Sequence, residues 1–185
     1  MFLLICCCIG CSRQEDYSPK PRGFFRIEFP EKQYEKVETG CPFGFEIPSY
    51  SILSEEDSHK HPCWKNLDFP QFNARLHVSY LPITQKTPLN QLIEDARTFA
   101  FKHTTKATAI DQSAIKNDQP NVSGLQYEIS GNTASNYQFY LTDSSKHYFR
   151  AALYFNEKPH VDSIAPVLEF IKKDINHLIQ SFWWK

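Results

Sequence analysis

Several short runs of the chain alternate apolar with polar residues, the period of a strand with one covered face. Gly23–Pro30 places Phe25, Ile27 and Phe29 against Arg26 and Glu28, and predicts a half-buried strand ended by proline. Phe43, Phe45 and Ile47 repeat the pattern, as do Ala74, Leu76, Val78 and Tyr80. Later, Leu125–Ser130 and Tyr137–Thr142 read as strands. Asp143–Lys146 reads as a turn, and His147–Phe155 as a hairpin partner.

Two stretches switch to the helical period. Thr87 and Pro88 read as an N-cap followed by proline at the first helical position. Leu89, Leu92, Ile93, Ala96, Phe99 and Ala100 then form an amphipathic stripe, which predicts a helix to about His103. The second stripe is Ile164, Val167, Leu168, Ile171, Ile175, Leu178, Ile179 and Phe182. It predicts a helix over about Ser163–Phe182, capped by Asp162 or Ser163, with Pro166 in its first turn. Strands, helix, strands, helix is the order of an α+β domain: an antiparallel β-sheet packed by two main amphipathic helices. Trp183 and Trp184 are expected to pack the end of the last helix onto that sheet.

The first ten residues break this alternation. Met1–Gly10 carries no charge, and as a helix it would span about 15 Å, half of a hydrocarbon core. That excludes a spanning helix and fits the apolar region of a secretory signal. Polarity breaks at Cys11. Cys8-Ile9-Gly10-Cys11 resembles a bacterial lipobox, in which the last cysteine takes a diacylglycerol and becomes the first residue after cleavage. Residues 1–10 are thus expected to be a lipoprotein signal peptide, and Cys11 the lipidation site. Cys6, Cys7 and Cys8 become apolar residues of a discarded segment. The competing reading, a metal site, suffers because consecutive cysteines do not easily converge on one tetrahedral ion. One acyl chain binds a membrane only marginally, whereas two or three palmitate-like chains hold it durably. Residues 11–22, polar and with Pro19 and Pro21, form a lipidated tether that extends to about 36 Å. Residues 23–185 form a single globular domain.

Composition narrows the function. The 20 basic and 21 acidic side chains leave a net charge near −1, with no basic face for nucleic acid. Aromatics reach 15%, which agrees with a sheet-rich core. Within the globular domain only Cys41 and Cys63 remain, and in an oxidising periplasm two such cysteines are expected to pair as a disulfide.

Among candidate sites, His59, His61 and Cys63 alternate and would share one side of an extended segment, a weak candidate for zinc or copper. The pairing expected of Cys63 and the absence of a closed zinc spacing favour a solvated loop instead, so no metal and no other cofactor is expected. No nucleophile elbow, phosphate loop or paired-carboxylate motif is present, and six glycines leave little room for a phosphate cradle. The sequence therefore gives no support for an enzyme.

Further stretches carry a resemblance. They are Pro19–Tyr34 just after the lipidation cysteine, Phe101–Thr104 at a helix end, and Tyr127–Ser135. Thr142–Ser144, Ala152–Phe155, Lys158-Pro159 and Asp162–Ile164 complete the set. In order and spacing they resemble the gliding motility lipoprotein GldD family. The resemblance implies a non-enzymatic accessory of the gliding and type IX secretion machinery. It implies attachment to a membrane through the lipid, most simply at the periplasmic face of the outer membrane. It also implies partners among the other proteins of that machinery, no nucleic acid, and a core like the PsbP/Mog1 sandwich. The alternative reading is a periplasmic metal- or small-ligand-binding protein, or a hydrolase.

Overall fold

The computed structural model describes residues 26–56, 61–157 and 161–185. Signal, lipidation site and the whole tether lie outside these residues, as does His59.

Among the described residues, ten strands and two main helices follow the chain. They are β1 (Tyr34–Glu38), β2 (Phe43–Pro48), β3 (Ile52–Glu55), β4 (Lys65–Phe69), β5 (Ala74–Pro82), α1 (Leu89–Phe101), β6 (Ala107–Ile115), β7 (Ser123–Gly131), β8 (Tyr137–Thr142), β9 (His147–Phe155), α2 (Val161–Ser181) and β10 (Trp183–Trp184). Seven strands form one antiparallel sheet in the order β3-β4-β5-β9-β8-β7-β6. A second sheet, β1-β2-β10, joins the two ends of the domain. The α+β class expected from the periodicity is the one observed, with this small sheet as an addition.

The alternation explains the layers. Phe69, Leu76, Val78, Phe139, Leu141, Phe149 and Leu153 point to one face of the large sheet. There they meet Phe43 and Phe45 of β2 and Ile171, Ile175, Leu178, Ile179 and Phe182 of the second helical stripe. Aromatic rings dominate this core: Phe149 contacts Phe43 and Phe182 edge-on at 5.1 and 5.0 Å. On the opposite face, Leu92, Ala96 and Ala100 of α1 pack on Tyr127, Ile129, Tyr140 and Tyr148. Tyr148 Oη donates to the Leu92 carbonyl at 3.0 Å, fixing α1 over β7, β8 and β9.

Three sequence expectations need correction. Arg26–Pro30 is not a strand. Its apolar residues are satisfied by side-chain packing rather than by a ladder: Phe29 stacks on Phe170 of α2 at 4.4 Å, and Ile27 lies against the main core. Pro88, not Thr87, occupies the N-cap of α1, with no side-chain cap bond. Thr87 is drawn into the preceding turn, where its Oγ1 donates to the Pro82 carbonyl at 2.7 Å. Asp162 and Ser163 lie inside α2, and Pro166 falls beyond its first turn, because the helix already includes Val161.

The tryptophans do pack the helix end. They pair with Gly44 and Phe43 of β2. Trp184 stacks on His147 at 5.2 Å, meets Phe182 edge-on, and donates from Nε1 to the Asn121 carbonyl.

Candidate functional site

A disulfide joins Cys41 and Cys63, with Cα atoms 5.7 Å apart, and ties the start of β2 to the segment before β4. His61 stacks on the Trp64 ring at 4.2 Å. Among the described residues no three His, Cys, Asp or Glu side chains gather as a metal site. No helix among them is long and apolar enough to cross a membrane.

Trp64 leads to a surface feature that sequence reasoning missed. Helix α1 covers only part of its sheet face, and the uncovered part, over β4, β5 and β9, is an open groove of about 530 Å³. The register builds it. Asn66, His77, Ala152, Gln138 and Tyr127 lie opposite one another in a single row across five strands. Ser79 and Arg150 form the neighbouring row. Ala152 and Ser79 are small and leave the floor low. Trp64, Leu81, Phe99, Tyr148 and Tyr154 supply apolar and aromatic walls.

Two polar groups in this face are incompletely satisfied. Asn66 is 1% exposed, and its Oδ1 has no hydrogen-bond partner. Gln138, equally buried, accepts at Oε1 from Arg150 Nη2 at 2.8 Å but leaves its own Nε2 unpartnered. Arg150 itself is a cation sunk into an otherwise apolar strand. Its guanidinium lies 4.5 Å from the Phe99 ring centre, and it makes no ion pair with a carboxylate among the described residues. Burial lowers its pKa from the usual value, and the Tyr148, Tyr154 and Tyr127 hydroxyls offset this in part. An arginine remains charged in any such setting, so the groove has a positive floor. Asp95 on α1 stands at the rim.

A second polar cluster is closed rather than open. Asp174, 1% exposed on α2, accepts from Lys32 Nζ at 2.7 Å, Tyr34 Oη at 3.0 Å and Tyr50 Oη at 2.5 Å. Lys32 Nζ also donates to the Phe170 carbonyl and sits 3.2 Å from the Phe170 ring centre. Burial and the Asp174 charge push both tyrosines well above the usual phenol range. Every donor here has an acceptor inside the domain. The cluster is a fastening, with nothing left over for a ligand.

The signal for the groove was present in the sequence. Arg150 is the lone strong charge within the apolar run His147–Phe155, and Asn66 breaks Lys65–Phe69 at a position buried between neighbouring strands. Neither has a spacing that names a chemistry.

Comparison with known proteins now adds the lineage. The sequence pattern of the family described as "Gliding motility lipoprotein GldD" matches residues 14–184. Among curated proteins none matches the chain. One solved structure that resembles it is the solution structure of cyanobacterial PsbP (CyanoP) from Synechocystis sp. PCC 6803. The two share 12% identity with a TM-score of 0.47, over 87% of this chain and 98% of that one. The chain belongs to the gliding motility lipoprotein GldD family.

Proposed function

We propose that this GldD-family chain is a non-enzymatic lipoprotein of the cell envelope, an accessory of the gliding motility and type IX secretion machinery that acts by protein–protein docking. The observation that carries this is the reach of the family match, which takes in the whole folded domain and most of the tether. In this reading the lipid on Cys11 holds the domain at the periplasmic face of the outer membrane. The tether lets the domain stand away from the bilayer, and other proteins of the machinery are its partners. The closed Asp174 cluster and the aromatic core fit a rigid docking body better than a catalytic one.

The test is genetic and biochemical together. Deleting the gene should abolish surface gliding and the linked secretion, and the wild-type gene should restore both. The Cys11→Ala gene should restore neither, and its product should lose labelled fatty acid and membrane retention. Normal gliding and secretion in the deletion strain would remove the motility role. A Cys11→Ala protein that stays labelled in the membrane would remove the anchor.

A further inference from the structure

Four strands end the two sheets among the described residues: β1 and β10 of the small one, β3 and β6 of the large one. A free edge is a row of unpaired backbone groups, and proteins blunt it with charge or by keeping it short. β1 carries Glu35, Lys36 and Glu38 within five residues, β3 has four residues and β10 has two. β6 is different: it has nine residues, no proline and one charged side chain, Asp111. Past a register shift between Ala107 and Ala109 it pairs with β7 without a break to Ile115.

The outward groups of this edge follow from β7. Ile129 N–H donates to the Asn136 carbonyl, and Asn136 Nδ2 donates to the Ile129 carbonyl, so both backbone groups of Ile129 point to the β8 side. Alternation turns those of Glu128 and Gln126 toward β6, where they meet Asp111 and Ser113. The N–H and C=O groups of Ile110, Gln112 and Ala114 therefore point away from the sheet, at the spacing an added strand uses.

The side chains select what can be added. Asp111 lies directly opposite Glu128, whose carboxylate is already paired with Lys172 of α2. Like charges so placed repel, and Asp111 has no hydrogen bond or ion pair among the described residues. Lys106 and Lys116 stand five residues away on either side, about 17 Å along an extended strand and beyond a screening length of about 8 Å. On the face toward α1, the start of β6 and the end of that helix border an open hollow of about 250 Å³ between Phe101, Thr104 and Ile110.

We propose that β6 takes up an added strand: an extended segment of another envelope protein, with a Lys or Arg opposite Asp111 and an apolar neighbour that enters the hollow beside Ile110. The backbone groups of Ile110, Gln112 and Ala114 supply the affinity, and Asp111 and the hollow supply the selection. A second copy of this chain is the poorer occupant, because pairing through its own β6 brings no base to Asp111 in any register. The inference deepens the docking reading above and rests on it only for the occupant being an envelope protein.

The probe is the capped peptide Thr-Val-Thr-Thr-Lys-Val-Thr, which in antiparallel pairing sets its lysine against Asp111 and its second valine against Ile110. It is titrated into full-length protein in detergent micelles, with the backbone amides followed by NMR. Saturable shifts and slowed hydrogen exchange are expected at the Ile110, Gln112 and Ala114 amides, with smaller changes at Asp111 and Ser113. The same peptide with Glu in place of Lys should bind about three- to tenfold more weakly, and Asp111→Lys should reverse that order. Gln112→Pro removes an outward N–H and leaves the ladder to β7 in place, so it should abolish binding while the protein melts as wild type does. A peptide N-methylated at the threonine before the lysine should also fail, and it tests the edge with the protein unaltered. The proposal is overturned if the three outward amides do not respond, if the Lys and Glu peptides bind alike, if the N-methylated peptide or Gln112→Pro binds as well as its parent, or if the same amides respond to protein concentration alone, the mark of self-pairing. The titration reads the edge and the deletion strain reads the motility role, so either can fail without the other.

Discussion

Lys32 and Asp174 lie 142 positions apart in the chain and 2.7 Å apart in the fold. The ion pair fastens the segment leading into β1 to the middle of α2, and the Tyr34 and Tyr50 hydroxyls close the remaining acceptor positions of the carboxylate. It is buried on the acid side and partly open on the lysine side, with exposures of 1% and 26%. Such a pair contributes less to stability than the loss of one partner costs.

Asp174→Asn is therefore expected to destabilise the domain by about 2–4 kcal/mol, because it leaves the Lys32 ammonium without its counter-charge. Lys32→Met combined with Asp174→Leu should recover part of that loss. Urea denaturation of the single and double variants measures both. Equal losses in the two proteins would show that the phenols, not the charge pair, hold this corner.

Asp143 organises the β8–β9 turn. Its Oδ1 accepts from the backbone N–H groups of Ser145, Lys146 and His147 at 3.0, 2.8 and 2.8 Å. Burial alone would raise its pKa, but these three donors and the Ser145 hydroxyl outweigh it and hold the carboxyl at about 2. The folded value lies below the unfolded one of about 3.9. The stabilisation is then complete above about pH 4 and lost as pH falls through about 2. After allowance for screening in an exposed turn it is worth about 1–2 kcal/mol. Asp143→Ala should lose this at neutral pH, and the gap between variant and wild type should narrow toward pH 2. A gap that stays constant with pH would refute the assignment.

Gly44 lies directly beneath the Trp183 indole, so that a Cβ at this position would overlap the ring. Lys36 Nζ covers the same indole at 4.5 Å. Gly44→Ala should cost about 1–3 kcal/mol by overpacking. In a Trp183→Ala background the same change should cost far less, and a double-mutant cycle reads the coupling directly. Additive losses would mean that Trp183 yields freely.

Removal of the Cys41–Cys63 bridge should lower stability by about 3 kcal/mol, since the loop it closes is a little longer than 20 residues. Thermal melts of Cys41→Ser with Cys63→Ser, beside oxidised and reduced wild type, check this. The double variant should match the reduced protein, not the oxidised one.

How far the fold could be read depended on whether a segment buries one face or two. Tyr137–Thr142, His147–Phe155 and the stripe of α2 were plain because large apolar residues recur at the right period. β4 was obscured: Lys65 and Asn66 are both buried, so the polar residues that usually mark a solvent face sit inside. β6 failed for the opposite reason. It is an edge strand, largely exposed, and the apolar residues of Ala107–Ile115 are mostly alanines that do not keep a regular alternation. Ile27 and Phe29 misled because alternation records side-chain packing, and packing on the main core or on the Phe170 and Phe72 rings needs no strand partner. The groove was harder still. Arg150 and Asn66 are distant in sequence, and only the pairing order β4-β5-β9 makes them neighbours.

The small sheet also constrains when the domain can be finished. β2 lies near the start of the folded chain, and its partner β10 comes last. Glu46 N–H donates to the Ser181 hydroxyl, and Lys185 N–H to the Pro42 carbonyl. A chain that emerges from its N-terminal end must therefore keep Phe43 and Phe45 waiting, unshielded, until the last helix and both tryptophans have arrived. The domain is closed by the pairing of β10 with β2. A partner that binds only the closed form would read out that β10 has docked on β2.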